Sequence, residues 1–305
     1  MVAALTIAVT GGTGFVGSHV LDLLETKGMA VRALTRRPRD PTPNVAWVEG
    51  ALDQPASLRA LVDGAQAVIH IAGAINAPSR QAFEAANVHG TRAIIDAASS
   101  AGVRRFVHVS SLAAREPQLS QYGASKAASE DIVEASGLDW SIIRPPAVYG
   151  PGDKETLDLF KMARRGQIYM PPKGRLSLIH VDDLARLLVA LAAPGSPSGL
   201  VIEPDDGKPG GWTHDEFGDA LGEAVGMPAR TISTPRFLLA MASRLDRFIR
   251  GGKAKLTADR VAYFCHPDWV VNPALAPPAA LWEPEIDTRD GLRATAEWYS
   301  EHRWY

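Results

Sequence analysis

The chain reads as an α/β protein, a doubly wound parallel sheet joined to a smaller, mostly helical C-terminal lobe. Three observations predict this. Short β-rich runs alternate with helical patterns through the first two thirds of the 305 residues. Gly11, Gly14 and Gly17 follow directly on the first β-rich run and open a helical pattern. After Gly152 the alternation stops, and from about residue 203 the pattern is irregular and rich in proline.

Taken in order, residues 5–9 are β-branched or apolar and make a first strand, with a helix from the glycines to about residue 27. Strands are expected at 30–34, 45–48 and 67–71, then a long helix over 83–101. A fifth strand covers 105–110, a helix 122–136 and a sixth strand 140–144. Right-handed crossovers bring the strand C-termini, and with them a ligand, to one edge. Residues 176–181 and a helix at 183–192 are expected to return to this sheet. A turn-rich stretch at 194–199 leads to helical pieces near 214–225, 235–250 and 288–302. The predicted division is a sheet domain of 1–150 plus about 176–202, and a lobe of about 151–175 and 203–305.

Composition narrows the class. The formal charge is −2, which gives no global basic surface for nucleic acid. Cys265 is the single cysteine, so an intrachain disulfide and a zinc site built on several thiolates are excluded. It is expected to be a small buried apolar residue. Residues 1–10 lack a basic flank, and the longest apolar stretch, near 187–193, is too short to span a bilayer. A cytoplasmic protein is expected. His70, His108 and His180 lie on strand patterns with no carboxylate or cysteine at ligand spacing, so they read as core or supporting histidines, with no metal.

The G-x-x-G-x-x-G spacing between a strand and a helix has a physical reading. Glycines permit the tight turn, let backbone approach a pyrophosphate and allow helix and strand to pack closely. The helix N-terminus adds unpaired N–H donors and a favourable dipole. This is the dinucleotide site of a Rossmann domain. The end of the second strand carries Arg36 and Arg37 where an acid would bond the ribose hydroxyls. Planar, multi-donor arginines there favour a 2′-phosphate, so NADP is preferred over NAD. A solvated basic loop is the other reading of those arginines.

Tyr122 and Lys126 are four residues apart on one helical face. There the ammonium can hold down the phenol's pKa and make it a usable acid or base. Ser110 and Ser111 end the fifth strand at the carboxyl edge of the sheet.

Together these segments closely resemble the short-chain dehydrogenase/reductase superfamily, in its extended, epimerase/dehydratase-like branch. The matching pieces are Thr10-Gly-Gly-Thr-Gly-Phe-Val-Gly17, Asn87-Val-His-Gly-Thr91, Val109-Ser-Ser111, Tyr122-Gly-Ala-Ser-Lys126, Arg144-Pro-Pro-Ala-Val-Tyr-Gly-Pro-Gly152 and Ile179-His-Val-Asp-Asp-Leu184. The resemblance covers nearly the whole chain. It implies that Tyr122 exchanges a proton with the substrate oxygen, that Ser111 bonds the same oxygen, and that Lys126 bonds the nicotinamide ribose and lowers the tyrosine's pKa. Asn87 is implied as a relay or a structural hydrogen-bonding residue. Gly11, Thr13, Gly14, Phe15, Val16, Gly17, Arg36, Arg37, Leu52, Ala72, Gly73, Tyr122, Lys126, Pro145 and Val148 are implied to touch the dinucleotide. A homodimer through helices 83–101 and 122–136 is also implied.

Departures from the family pattern matter as well. After the third strand the chain has Gly50-Ala51-Leu52-Asp53 where the family often has Gly-Asp, so Asp53 or backbone is left to meet the adenine. Ala147 stands where sugar-nucleotide epimerases carry asparagine, and Ser111-Leu112-Ala113 lacks the acids of the dehydratases. The run from Arg144 is similar to that of 3β-hydroxysteroid dehydrogenases and dihydroflavonol reductases, which handle flat apolar ketones and alcohols.

In the lobe, Phe237, Leu238, Met241, Leu245, Phe248 and Ile249 form an apolar stripe at helical spacing, with Arg244, Arg247 and Arg250 on the other side and Lys253 and Lys255 beyond. Packing of the stripe on the lobe's core is the expected use; a lid over an apolar substrate and peripheral membrane contact by 236–255 stay open. The expected function is NAD(P)-dependent interconversion of a ketone and a secondary alcohol on a small, largely apolar molecule. A sugar-nucleotide epimerase or reductase, and a non-catalytic redox sensor or accessory subunit, are the alternatives.

Overall fold

Isoleucine, alanine and valine between two threonines make a strand, β1 (Thr6–Thr10), whose Ile7, Ala8 and Val9 are fully buried. The structure is a computed structural model that describes residues 5–40, 42–251 and 256–305, without the side chain of Arg247. The chain divides into two units. The first takes Met1–Arg144, Leu184–Ile202 and Pro277–Trp282; the second takes Pro145–Asp183, Glu203–Ala276 and Glu283–Tyr305.

In the first unit β1 is followed by α1 (Phe15–Thr26), β2 (Ala30–Thr35), β3 (Val45–Glu49), α2 (Pro55–Val62), β4 (Ala67–His70), α3 (Arg80–Phe83), α4 (Gly90–Ser100), β5 (Arg105–Val109), α5 (Gln121–Glu134) and β6 (Asp139–Ile143). With Leu200–Ile202 these strands form a seven-stranded sheet in the order Leu200–Ile202, β6, β5, β4, β1, β2, β3. Each pairing in it is parallel. Parallel strands are buried on both faces, and on one of them Leu58, Leu61, Ile94, Ala98 and Val133 from the helices pack with Val68, Phe106 and Ile142. Strand order reverses between β1 and β4, which places the crevice for a ligand beyond their carboxyl ends.

Two expectations are corrected here. The helix predicted over 83–101 is not continuous: a π-helical turn, Glu84–His89, separates α3 from α4. The strand predicted at 176–181 does not join the main sheet, because Leu178–His180 pairs in parallel with Ala147–Tyr149 as a two-stranded ribbon. The strand that does return is Leu200–Ile202, beside β6.

The chain continues through β7 (Ala147–Tyr149), α6 (Leu157–Ala163), β8 (Gln167–Met170), β9 (Arg175–Leu176), β10 (Leu178–His180), α7 (Val181–Ala192) and β11 (Leu200–Ile202). Then follow β12 (Trp212–Thr213), α8 (His214–Ala224), β13 (Arg230–Ser233), α9 (Arg236–Arg250), α10 (Ala258–Phe264), β14 (Asp268–Trp269) and α11 (Thr288–Glu301). The second unit has its own core of Tyr149, Phe160, Phe217, Leu221, Leu292 and Tyr299, and the Tyr299 hydroxyl donates to the Asp153 carbonyl at 2.6 Å. Cys265 is half-buried rather than buried, since it sits just past the end of the short helix α10. The predicted apolar stripe forms on α9 but does not pack on a core: Phe237, Met241, Leu245, Phe248 and Ile249 are all exposed.

Candidate active site

The turn from β1 into α1 is made by glycines that nothing larger could replace. Gly11 has φ +77°, and a Cβ there would lie 2.6 Å from the Ala72 nitrogen. A Cβ on Gly17 would lie 2.1 Å from the Gly11 oxygen. Gly14 caps α1 with no side-chain bond, and the first turn carries no acid. Helix N–H groups left without a cap, next to exposed Thr13 and Gly14, suit a diphosphate. The residues fit the phosphates of a dinucleotide, with half-buried Phe15 and Val16 in the same turn.

The other predicted contacts of the first unit follow the carboxyl ends of its strands. Arg36 and Arg37 are exposed just beyond β2, and the Thr35 hydroxyl donates to the Arg37 carbonyl at 2.7 Å. Leu52 packs against the sheet-domain core and faces Gly90, where a Cβ would lie 2.7 Å from its Cδ1. Ala72 and Gly73 follow β4, and the Ala72 N–H donates to the Thr10 hydroxyl at 3.2 Å. Asp53 is exposed. Pro145 and Val148 belong to the second unit, Pro145 buried and Val148 on β7.

Tyr122 and Lys126 from α5, Ser111 after β5 and Asn87 from the π turn are brought together within the first unit. Ser120 caps α5 by accepting the Gly123 N–H at 2.9 Å, and Gly123 lets the helix start close to the Ala113 carbonyl, 2.6 Å from where a Cβ would be. That approach brings the Tyr122 hydroxyl into a hydrogen bond with the Ser111 side chain. Phe83 lies beside the Tyr122 ring, centroids 6.2 Å apart. Ser110, the other serine of the pair, turns instead to the Glu130 carboxylate. Glu130 also accepts both Nε and Nη2 of Arg144, the latter at 2.6 Å.

Lys126 is 4% exposed, and its Nζ donates to the Val109 carbonyl at 2.8 Å. Burial pushes its pKa down to about 8, against an opposing pull from Glu130. The phenol of Tyr122 moves the other way from the sequence expectation. Burial raises its pKa, and the Ser111 bond only partly offsets this. The lysine lies one helical turn away with its charge drawn to Val109 and Glu130, so desolvation decides the direction.

Asn87 is drawn in by the π turn. Its Oδ1 accepts the Ala74 N–H at 2.6 Å, while its Nδ2 donates to the Ala74 carbonyl at 3.0 Å and to Ser125 Oγ at 2.8 Å. Every polar atom of the amide is thereby engaged, tying the loop after β4 to α5. Behind the site two buried histidines stack at 5.4 Å. His70 is held by Thr10 at 2.6 Å and Thr91 at 3.0 Å, and burial with the nearby Lys126 charge pushes its pKa down to about 3. His108 meets Ser129 at 3.1 Å and is likewise held neutral by burial and Lys126.

The Glu130–Arg144–Ser110 cluster is absent from the sequence expectations. Its signal was in α5, where Tyr122, Lys126, Ser129 and Glu130 recur at helical spacing and make a polar face on a buried helix.

The chain matches the model of the NAD dependent epimerase/dehydratase family over residues 7–201. It belongs to that family. It is 37% identical to the ceramide reductase of Caulobacter vibrioides, covering 98% of this chain and 95% of that protein. To the 2-alkyl-3-oxoalkanoate reductase of Stenotrophomonas maltophilia it is 28% identical, over 95% and 98% of the two chains. Among solved structures, the Bordetella bronchiseptica enzyme WbmG in complex with NAD and UDP superposes with a TM-score of 0.76. That likeness spans 98% and 96% of the two chains at 19% identity, and so speaks to the fold alone. As a member of the epimerase/dehydratase family with full-length relatives that are reductases, the chain is an NAD(P)-dependent oxidoreductase of the extended short-chain dehydrogenase/reductase type. Among the described residues no helix is long and apolar enough to cross a membrane.

Proposed function

We propose that this oxidoreductase reduces a ketone to a secondary alcohol on a long-chain, largely apolar molecule, with NADPH preferred over NADH. One observation carries the reading: the Tyr122 hydroxyl is hydrogen-bonded to the Ser111 side chain, with the buried Lys126 one turn further along α5. Tyr122 holds its proton at neutral pH and shares it with Ser111, so the pair can give a proton and a hydrogen bond to a carbonyl oxygen as reduction requires.

The bound dinucleotide supplies the hydride. Tyr122 gives its proton to the carbonyl oxygen as that oxygen gains charge. Ser111 orients the same oxygen by a hydrogen bond, and the Lys126 ammonium stabilises the phenolate that Tyr122 becomes. Asn87 holds the loop after β4 against α5 and keeps Tyr122 in register through Ser125, whose hydroxyl donates to the Tyr122 carbonyl at 2.8 Å. Arg36, exposed just beyond β2, would hold the 2′-phosphate. The reductase relatives, named for ceramide and for a 2-alkyl-3-oxoalkanoate, support an acyl-chain substrate. Ala147, in place of an epimerase asparagine, weighs against a sugar nucleotide.

The test compares wild type with Tyr122→Phe on a long-chain 3-oxo lipid, following loss of NADPH fluorescence. The variant is expected to lose about 100- to 10,000-fold in kcat/KM while binding NADPH as before. Unchanged turnover in the variant overturns the reading.

A further inference from the structure

Helix α9 is amphipathic in the opposite sense to a helix that helps build a core. At about 100° per residue, Phe237, Phe248, Met241, Leu245, Leu238 and Ile249 follow one another within an arc of about 120°. All six face solvent, with Phe248 89% exposed, Ile249 69% and Phe237 64%. The side turned inward carries Leu239, Ala240, Ser243 and Asp246 instead, and Ser243 is buried. An apolar strip of this extent marks a surface made to be covered.

Charge identifies what covers it. The chain as a whole is −2, yet residues 236–255 hold Arg236, Arg244, Arg247, Arg250, Lys253 and Lys255 against the single acid Asp246, six minus one or +5. Lys253 and Lys255 lie outside the described residues. Arg236, Arg244 and Arg250 are exposed, and Arg244 borders the stripe about 20° from Phe237. A second copy seated on this helix would set +5 against +5. A lid over an apolar substrate would have no use for the cations. Acyl chains beneath a layer of negative headgroups satisfy both faces at once.

We infer that α9 docks the protein, lying flat, on a bilayer surface that bears anionic headgroups. The helix is too short and too charged to cross, so its aromatic and aliphatic side chains enter the acyl boundary while Arg244, at the edge of the stripe, stays at headgroup level and the other cations add longer-range attraction. This goes beyond the reductase reading and does not depend on it, because binding to vesicles is measured without substrate or turnover.

The experiment is co-sedimentation of the full chain with vesicles of phosphatidylcholine alone, or of equal parts phosphatidylcholine and phosphatidylglycerol. Binding is expected on the mixed vesicles, weaker by about tenfold or more on phosphatidylcholine, and weakened by salt. The double variant Phe248→Glu/Ile249→Glu and the double variant Arg236→Glu/Arg244→Glu should each lose about tenfold or more of that binding. Both should keep helix content and turnover of a soluble ketone, since the substituted side chains are exposed. No binding to either vesicle overturns the inference. So does equal binding to both, or a dimer that Phe248→Glu/Ile249→Glu breaks while vesicle binding persists.

Discussion

Lys126 reaches from α5 to the carbonyl oxygen of Val109, the last residue of β5, and its Nζ lies 2.8 Å away. A buried ammonium is thus held by one backbone oxygen and the nearby Glu130 charge. Holding a charged ammonium out of water in this way costs stability.

That cost can be measured. A pKa lowered from 10.5 to about 8 corresponds to roughly 3 kcal/mol against the charged form, its partners included. Lys126→Met is therefore expected to stabilise the fold, by about 3 kcal/mol at most, read by denaturant titration, while turnover falls steeply. A variant that is both less stable and still active would contradict this account.

The same group sets a pH dependence with opposite signs for activity and stability. As pH rises through about 8, Lys126 loses its charge and reductive kcat/KM should fall. Between about 8 and 10.5 the unfolded chain binds more protons at this residue than the folded one, so its contribution to stability rises with pH. Lys126→Arg, which stays charged, should erase the alkaline fall near 8 if the variant retains turnover.

Glu130 is 4% exposed and serves Arg144, Ser110 and the field around Lys126 together. Glu130→Ala leaves the Arg144 guanidinium, whose side chain is 20% exposed, without its carboxylate, at an expected loss of about 3 kcal/mol. Glu130→Gln keeps the shape and removes the charge. It should lower the Lys126 pKa further and move the alkaline limb of the rate profile below 8, a shift that a purely structural role for Glu130 would not produce.

Arg36 carries the cofactor preference in the proposed function. Arg36→Ala should weaken NADPH binding by about ten- to a hundredfold and leave NADH binding nearly unchanged, as read by fluorescence titration with each. Equal losses for both cofactors would remove Arg36 from any role at the 2′-phosphate.

The strands of the main sheet were legible because buried parallel strands read as apolar, β-branched runs, and residues 6–10 and 67–70 are such runs. The Tyr122–Lys126 spacing and the glycine turn were legible because both are local in the chain. What stayed hidden depended on surroundings. The phenol's upward shift follows from burial, which spacing does not contain. Residues 178–180 are as apolar as a sheet strand, but only the partner, β7, tells where they pair. The stripe of α9 announced an amphipathic helix; which side faces out depends on what packs behind Ser243. No glycine or proline between Phe83 and His89 betrayed the π turn.

That turn fixes a count. Glu84–His89 winds wider than the helices on either side, and the extra residue it absorbs is what swings the Asn87 amide onto Ala74 and Ser125. Removing one residue between Phe83 and Gly90 would let α3 and α4 fuse into a regular helix, rotated by about 100° at the point of deletion. Asn87 would then swing off its partners, and the loop after β4 would lose its tether to α5. Homologous chains that keep this tether should tolerate many substitutions in the segment but no change in its length.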